Sequence, residues 1–275
     1  MERSHGSGLL DGKVLFVAGV GPQMGKATAL VAAREGAHVA LAARREKTIK
    51  PVAEAINSAG GRALALQCDL GVEDQITAAI HATIAEFGKV DTVFYNAAAY
   101  DDAHESLDID EELWQKTMAI NFRGALSIAR LVVPSMTESG GGAFVFNSSA
   151  ASMVAEDVRL GYGVTKAALN ALTRFVASRY GRQGIRANAI LPFVIGGDVG
   201  SVASSINCLG RSGTADEIGE VVVFLLSDRS SIITGEVIHL DGGLFSRAAW
   251  PSVAAQRIPP PQADHRPSEL STPPR

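Results

Sequence analysis

Short, nearly continuous apolar runs alternate along the chain with longer segments whose apolar residues recur at helical period. The runs are Val14–Ala18, His38–Ala42, Ala63–Cys68, Thr92–Tyr95, Ala143–Asn147, Ala187–Leu191 and Val237–Leu240. A strand with one wet face would alternate apolar and polar residues. These runs do not, so they predict strands covered on both faces. Helical segments are expected near 25–35, 46–59, 73–87, 110–137, 161–182 and 215–227, with Asp69, Asp110 and Thr214 near plausible starts. Glycines mark the returns into strands, at Gly36, Gly60, Gly61, Gly88, Gly140, Gly184 and Gly235. This alternation predicts βαβ units in a single α/β domain. They form a doubly wound, parallel, seven-stranded sheet with helices on both faces.

Both ends leave the pattern. Residues 1–8 read as a flexible start, 9–247 as the folded domain and 248–275 as a Pro-rich tail. That tail carries Pro259, Pro260, Pro261, Pro273 and Pro274 and cannot continue a helix or a central strand.

Composition narrows the function classes. With 275 residues, 47% of them hydrophobic, the chain can bury one large core. A net charge of −4 argues against a polyanion-binding surface, so no nucleic-acid partner is expected. Cys68 and Cys208 form no CxxC pair and cannot build a disulfide scaffold, which suits a reducing cytoplasm. The six histidines lack metal-ligand spacing, so no metal is expected. The longest strongly apolar run, Val221–Leu226, is far too short to span a membrane.

After the first strand comes Gly19-Val20-Gly21-Pro22-Gln23-Met24-Gly25, then a helix. Small residues let backbone approach a pyrophosphate, and a helix N-terminus supplies N–H donors and a positive dipole end. The strand–turn–helix setting separates this loop from a chance glycine cluster. The second strand ends in Ala43-Arg44-Arg45, where a carboxylate would grip the ribose 2′-hydroxyl of NAD. A guanidinium suits a 2′-phosphate instead, so Arg44 favours NADP(H), with NAD(H) as the alternative. The bland reading makes Arg44 and Arg45 a solvated helix entry. Asp69, after the third strand, could accept from an adenine amino group or cap a helix, and the chemistry does not choose between them.

Tyr162 and Lys166 stand one helical turn apart and share a face. A phenol titrates near about 10, and a neighbouring ammonium lowers that value, so the pair can move a proton to or from a carbonyl oxygen. With four tyrosines in the chain, chance supplies about 0.1 such pairs, so the spacing is informative. Ser148 and Ser149 follow the fifth strand, at the sheet edge where ligands bind in open α/β folds. Asn121 sits inside a helical segment, where asparagine is a poor former and a local irregularity is expected.

Together these residues resemble the short-chain dehydrogenase/reductase family of the classical type, over about residues 9–245. Ser149 lies thirteen residues before Tyr162-x-x-x-Lys166. Tyr95-Asn96-Ala97-Ala98 matches the family's Asn-Asn-Ala-Gly motif, Asn121 its catalytic asparagine, and Asn188–Pro192 and Asp241-Gly242-Gly243 two later signatures. The resemblance implies a Rossmann-type fold, a nicotinamide cofactor and ketone–alcohol interconversion on a small molecule. It makes Tyr162 the general acid or base and Lys166 the residue that lowers its pKa and holds the nicotinamide ribose. Ser149 orients the substrate oxygen, and Asn121 anchors a relay water. Gly19, Gly21, Gln23, Met24, Gly25, Asp69, Leu70, Asn96, Ala97, Ala98, Pro192 and Ile195 would line the cofactor path. A homodimer or homotetramer is implied through the helices near 110–137 and 161–182.

The chain departs from the family at several positions. Ala18 and Gln23 replace a threonine and a glycine of the loop, and Tyr95, Ala98, Phe193 and Gly197 replace an asparagine, two glycines and a threonine. Gln23 adds bulk at the phosphate turn. The segment from Pro192 to Arg211 reads as a short Gly- and Ser-rich substrate lid. Tyr100, Ala151, Met153, Val154, Phe193 and Val194 are candidate apolar walls, which points to a hydrophobic ketone or alcohol. The enoyl-reductase pattern needs a lysine seven residues after the tyrosine, where this chain has Leu169. The rival reading is a catalytically silent dinucleotide-binding regulator.

Overall fold

The computed structural model describes residues 8–101, 107, 109–154, 159–196 and 206–246. The flexible start, the Pro-rich tail, Gly197 and most of the lid segment lie outside the described residues. Seven parallel strands form one sheet: β1 (Val14–Ala18), β2 (His38–Ala43), β3 (Arg62–Gln67), β4 (Thr92–Tyr95), β5 (Gly142–Asn147), β6 (Ile185–Pro192) and β7 (Val237–Leu240). Their spatial order is β3-β2-β1-β4-β5-β6-β7. This is the Rossmann-type doubly wound arrangement, reversing direction between β1 and β4. Val17 sits at that reversal, paired with Leu41 on one side and Phe94 on the other.

The continuous apolar runs have a direct structural cause. Successive β1 residues point to opposite faces, and both faces are covered. Phe16 and Ala18 join a core with residues of α3 (Glu73–Phe87), α5 (Gly124–Glu138) and α6 (Leu160–Tyr180). Leu15 and Val17 join a second core with residues of α1 (Met24–Arg34), α2 (Glu46–Ser58) and α7 (Ala215–Leu226).

Helix starts follow their sequence signals in two of three cases. The Asp110 side chain caps α4 (Glu111–Met118) by accepting from Leu113 N, and Thr214 forms a full capping box with Glu217 on α7. Asp69 is not the cap of α3; Val72 holds that position, and the Asp69 carboxylate accepts from Gly71 N at 2.9 Å. The single helix expected over 110–137 is two helices separated by a π turn, Ala119–Arg123, which contains Asn121. No helix among the described residues is long and apolar enough to cross a membrane.

Candidate active site

The carboxyl ends of β1, β2, β4, β5 and β6 open onto one cleft of about 690 Å³. Parallel strands end on the same side, so residues far apart in sequence meet there. Gly19 turns the chain out of β1 with φ +94°, and a Cβ on it would lie 2.5 Å from Ala97 N. Gly25 is buried; its Cβ would lie 2.8 Å from Gly19 O, so it permits close packing of helix on turn and does not face the cleft. A Cβ on Gly21 would meet nothing within 4 Å, which leaves the turn's rim open to an approaching phosphate. The exposed Gln23 does not fill this space alone: its amide nitrogen lies toward Gly196, after β6.

The turn is tied to the centre of the sheet through two carboxamides. Asn96 Nδ2 donates to Gly19 O at 2.7 Å, and Asn147 Nδ2 donates to Asn96 Oδ1 at 2.9 Å. Gly19 O can only accept, so it fixes the orientation of both amides. Asn147 Oδ1 is left buried with no hydrogen-bond partner.

Lys166 is 1% exposed, and its Nζ donates to the Asn147 carbonyl at 2.6 Å. Burial pushes this ammonium down to about 7. Its Nζ lies 5.4 Å from the centre of the Tyr162 ring, and both residues line the cleft. The Tyr100 ring stacks on Tyr162 with centroids 4.6 Å apart. Ser149 begins the short 3₁₀ turn Ala150–Ser152, its hydroxyl accepting from Ala151 N, and faces the same cleft. Ser148, also at the cleft, is almost fully buried, and its hydroxyl donates to the Lys166 carbonyl.

Asn121 does not line the cleft; it braces the wall. Its side chain accepts from Ala99 N at 2.6 Å and donates to Ala99 O at 2.8 Å and Thr165 Oγ1 at 3.0 Å. The π turn around it is held by Tyr95, whose buried hydroxyl donates to the Ile120 carbonyl. Gly124 leaves the space this needs, since a Cβ there would lie 2.6 Å from the Tyr95 oxygen. Tyr95 thus fills the position of the family's first asparagine with a different contact.

At the other end, Arg44 and Arg45 are exposed and line the cleft with Thr48, Asp69 and Leu70. Met24, Ala97, Ala98, Pro192 and Phe193 also face it. Several expected residues do not. Val194 and Ile195 are engaged with Gly213 in a β-bridge beside the cleft. Ala151 is buried outside it, and Met153 and Val154 are surface residues.

One buried acid at the site was invisible in the sequence. Asp101 is 2% exposed, and its carboxylate accepts from Gly161 N at 2.8 Å and Tyr162 N at 2.9 Å. No spacing rule links residues 60 positions apart, so only the fold reveals it.

A family model described as enoyl-(acyl carrier protein) reductase matches residues 19–245. The chain belongs to the short-chain dehydrogenase/reductase family. An NAD-dependent glycerol dehydrogenase of Listeria innocua is 34% identical over 84% of this chain and 93% of its own length. A 2-keto-3-deoxy-L-fuconate dehydrogenase of Xanthomonas campestris is 36% identical over 85% of this chain and 80% of its own. The solved structure of a short-chain type dehydrogenase/reductase from Mycobacterium ulcerans superposes with a TM-score of 0.81. It is 27% identical and covers 90% of this chain and 94% of that one.

Proposed function

We propose that this protein interconverts a secondary alcohol and a ketone by hydride transfer with a nicotinamide dinucleotide, NADP(H) in preference to NAD(H). The observation that carries this reading is the meeting of Ser149, Tyr162 and Lys166 in the cleft that begins at the Gly19 turn. The cleft fits a dinucleotide: the rim at Gly21 is open, and one edge carries two arginines and no carboxylate at the β2 terminus.

The cofactor, when bound, exchanges the hydride with the substrate carbon. Tyr162 gives a proton to the ketone oxygen in reduction and takes it from the alcohol in oxidation. Lys166 favours the phenolate electrostatically and holds the nicotinamide ribose. Ser149 donates to the substrate oxygen and orients it. Asn121, its side chain committed to Ala99 and Thr165, fixes the wall on which Tyr100 stands, and a relay water would have to meet its backbone instead. Arg44 would take the 2′-phosphate and Asp69 and Leu70 the adenine, while the carboxamide contact expected of Ile195 would need its backbone to reach in from the bridge beside the cleft.

The matched family model carries the name of enoyl reduction, yet Leu169, at the position where that arrangement needs its lysine, is fully buried. Lys166 is the ammonium at the tyrosine, which supports alcohol–ketone chemistry. Tyr100 and Phe193 give the cleft an aromatic surface, which favours a hydrophobic small molecule. Relatives named for glycerol and a keto-sugar acid make polar alcohols the second class to test. Exposed Leu160, Val164 and Phe175 on α6 support a homodimer or homotetramer.

The test is a panel of cyclic ketones, aliphatic ketones and polyols, with cofactor turnover followed by absorbance of the reduced nicotinamide. Turnover that disappears in Tyr162→Phe is expected. Cofactor binding with no turnover on any class would favour the silent regulator.

A further inference from the structure

Two consecutive residues after β4, Tyr100 and Asp101, grip the helix that carries Tyr162 and Lys166, and Ala99 before them is tied to it through Asn121, which donates to Thr165. Ala99 is clamped on both backbone atoms by Asn121. The Tyr100 ring lies against the Tyr162 ring. Asp101 places a carboxylate on two free N–H groups in the first turn of α6, those of Gly161 and Tyr162. Arg159, the residue before α6, makes no side-chain cap, so Asp101 supplies that cap from another element. Gly161 makes the approach feasible. A Cβ there would lie 3.0 Å from Asp101 Oδ2 and 3.2 Å from Trp114 Cε3. Burial of the carboxylate means that water does not satisfy it, and the two N–H donors and the helix dipole do.

We propose that Asp101 is a positioning residue for the acid–base tyrosine, fixing the start of α6 and setting the field in which the Tyr162 phenol titrates. This rests on the proposed role of Tyr162. The geometry joins the two functions in one group. The same carboxylate that caps the helix accepts from the Tyr162 amide at 2.9 Å, so a buried charge stands at the backbone of the residue that carries the phenol. Its negative charge opposes the phenolate, whereas Lys166 favours it. Among the described residues, the other charges about this phenol are Arg159, over the Tyr100 ring, and Lys116, reaching the cleft from α4. Asp101 is the acid among these described groups, so in the proposal the tyrosine's working range is set by a balance between it and the cations.

The test is a pH titration of the full chain labelled with ¹³C at tyrosine Cζ, in wild type, Asp101→Asn and Asp101→Ser. The chain has four tyrosines, and Tyr162→Phe assigns the resonance of interest. Loss of the charge is expected to lower the Tyr162 midpoint by about one pH unit in both variants. Tyr180, at the far end of α6, should not move. Serine keeps an acceptor at the cap, so Asp101→Ser reports on charge even if Asp101→Asn unfolds. A Tyr162 midpoint unchanged in a folded variant overturns the proposal. Failure of the functional reading looks different: the wild-type phenol would titrate near about 10 and ignore Lys166→Met, whatever Asp101 does.

Discussion

Replacing Lys166 by methionine removes the ammonium while keeping an unbranched chain of similar bulk in a site that is 1% exposed. The charge lies 5.4 Å from the centre of the Tyr162 ring. At an effective dielectric constant of about 20, Coulomb's law gives about 3 kcal/mol at that separation, or about two pH units on the phenol. The sign follows from which form is charged. A protonated lysine favours the phenolate, and burial pushes Lys166 down to about 7, so its charge acts in full below that pH and its removal leaves less phenolate there and at neutral pH. The rate of alcohol oxidation at pH about 7 should therefore fall by roughly 100-fold. Reduction of a ketone, which needs the protonated phenol, should fall less. The assay is the pH dependence of both directions with saturating cofactor, in wild type and Lys166→Met. An oxidation profile that keeps its midpoint in the variant would refute the electrostatic argument, because nothing else on α6 supplies a cation at that distance among the described residues.

Three further outcomes follow from particular contacts. Arg44→Ala should weaken NADPH at least about tenfold and leave NADH nearly unchanged, since only the former carries a 2′-phosphate; parallel calorimetric titrations decide it. Gly124→Ala should destabilise the fold by about 1–3 kcal/mol in urea, because its methyl would stand 2.3 Å from the Leu70 carbonyl, and an unchanged midpoint would contradict that packing. Lys166 also makes stability depend on pH. Its folded pKa is about 7 against an ordinary 10.5, so between these values the unfolded chain binds more protons and stability rises with pH. Wild type should gain on the order of a few kcal/mol from pH about 7 to about 10, and Lys166→Met should lose that gain.

The strands were legible because burial on both faces of a parallel sheet writes itself as unbroken apolar runs. Val14–Ala18, Thr92–Tyr95 and Val237–Leu240 are the observed strands residue for residue. The segment 110–137 reads as one helix because a π turn keeps helical periodicity almost intact; only Asn121, a poor helix former, signals the irregularity. Motif spacing pointed to Tyr162, Lys166 and Ser149, and all three line one cleft. Met153 and Val154 lie on the surface, because apolar character does not say which way a short turn faces. Asp101, Asn147 and the Tyr95 hydroxyl act through contacts between distant segments, which no local pattern encodes.

The central claim is that the cleft from the Gly19 turn to Tyr162 holds a nicotinamide dinucleotide. Calorimetric titration of the wild-type chain with NADPH and NADH, separately, tests it most directly. Saturable binding of both, tighter for NADPH, is the predicted result. Tighter binding of NADH would keep the site and remove the role given to Arg44, whereas no saturable binding of either would contradict the claim.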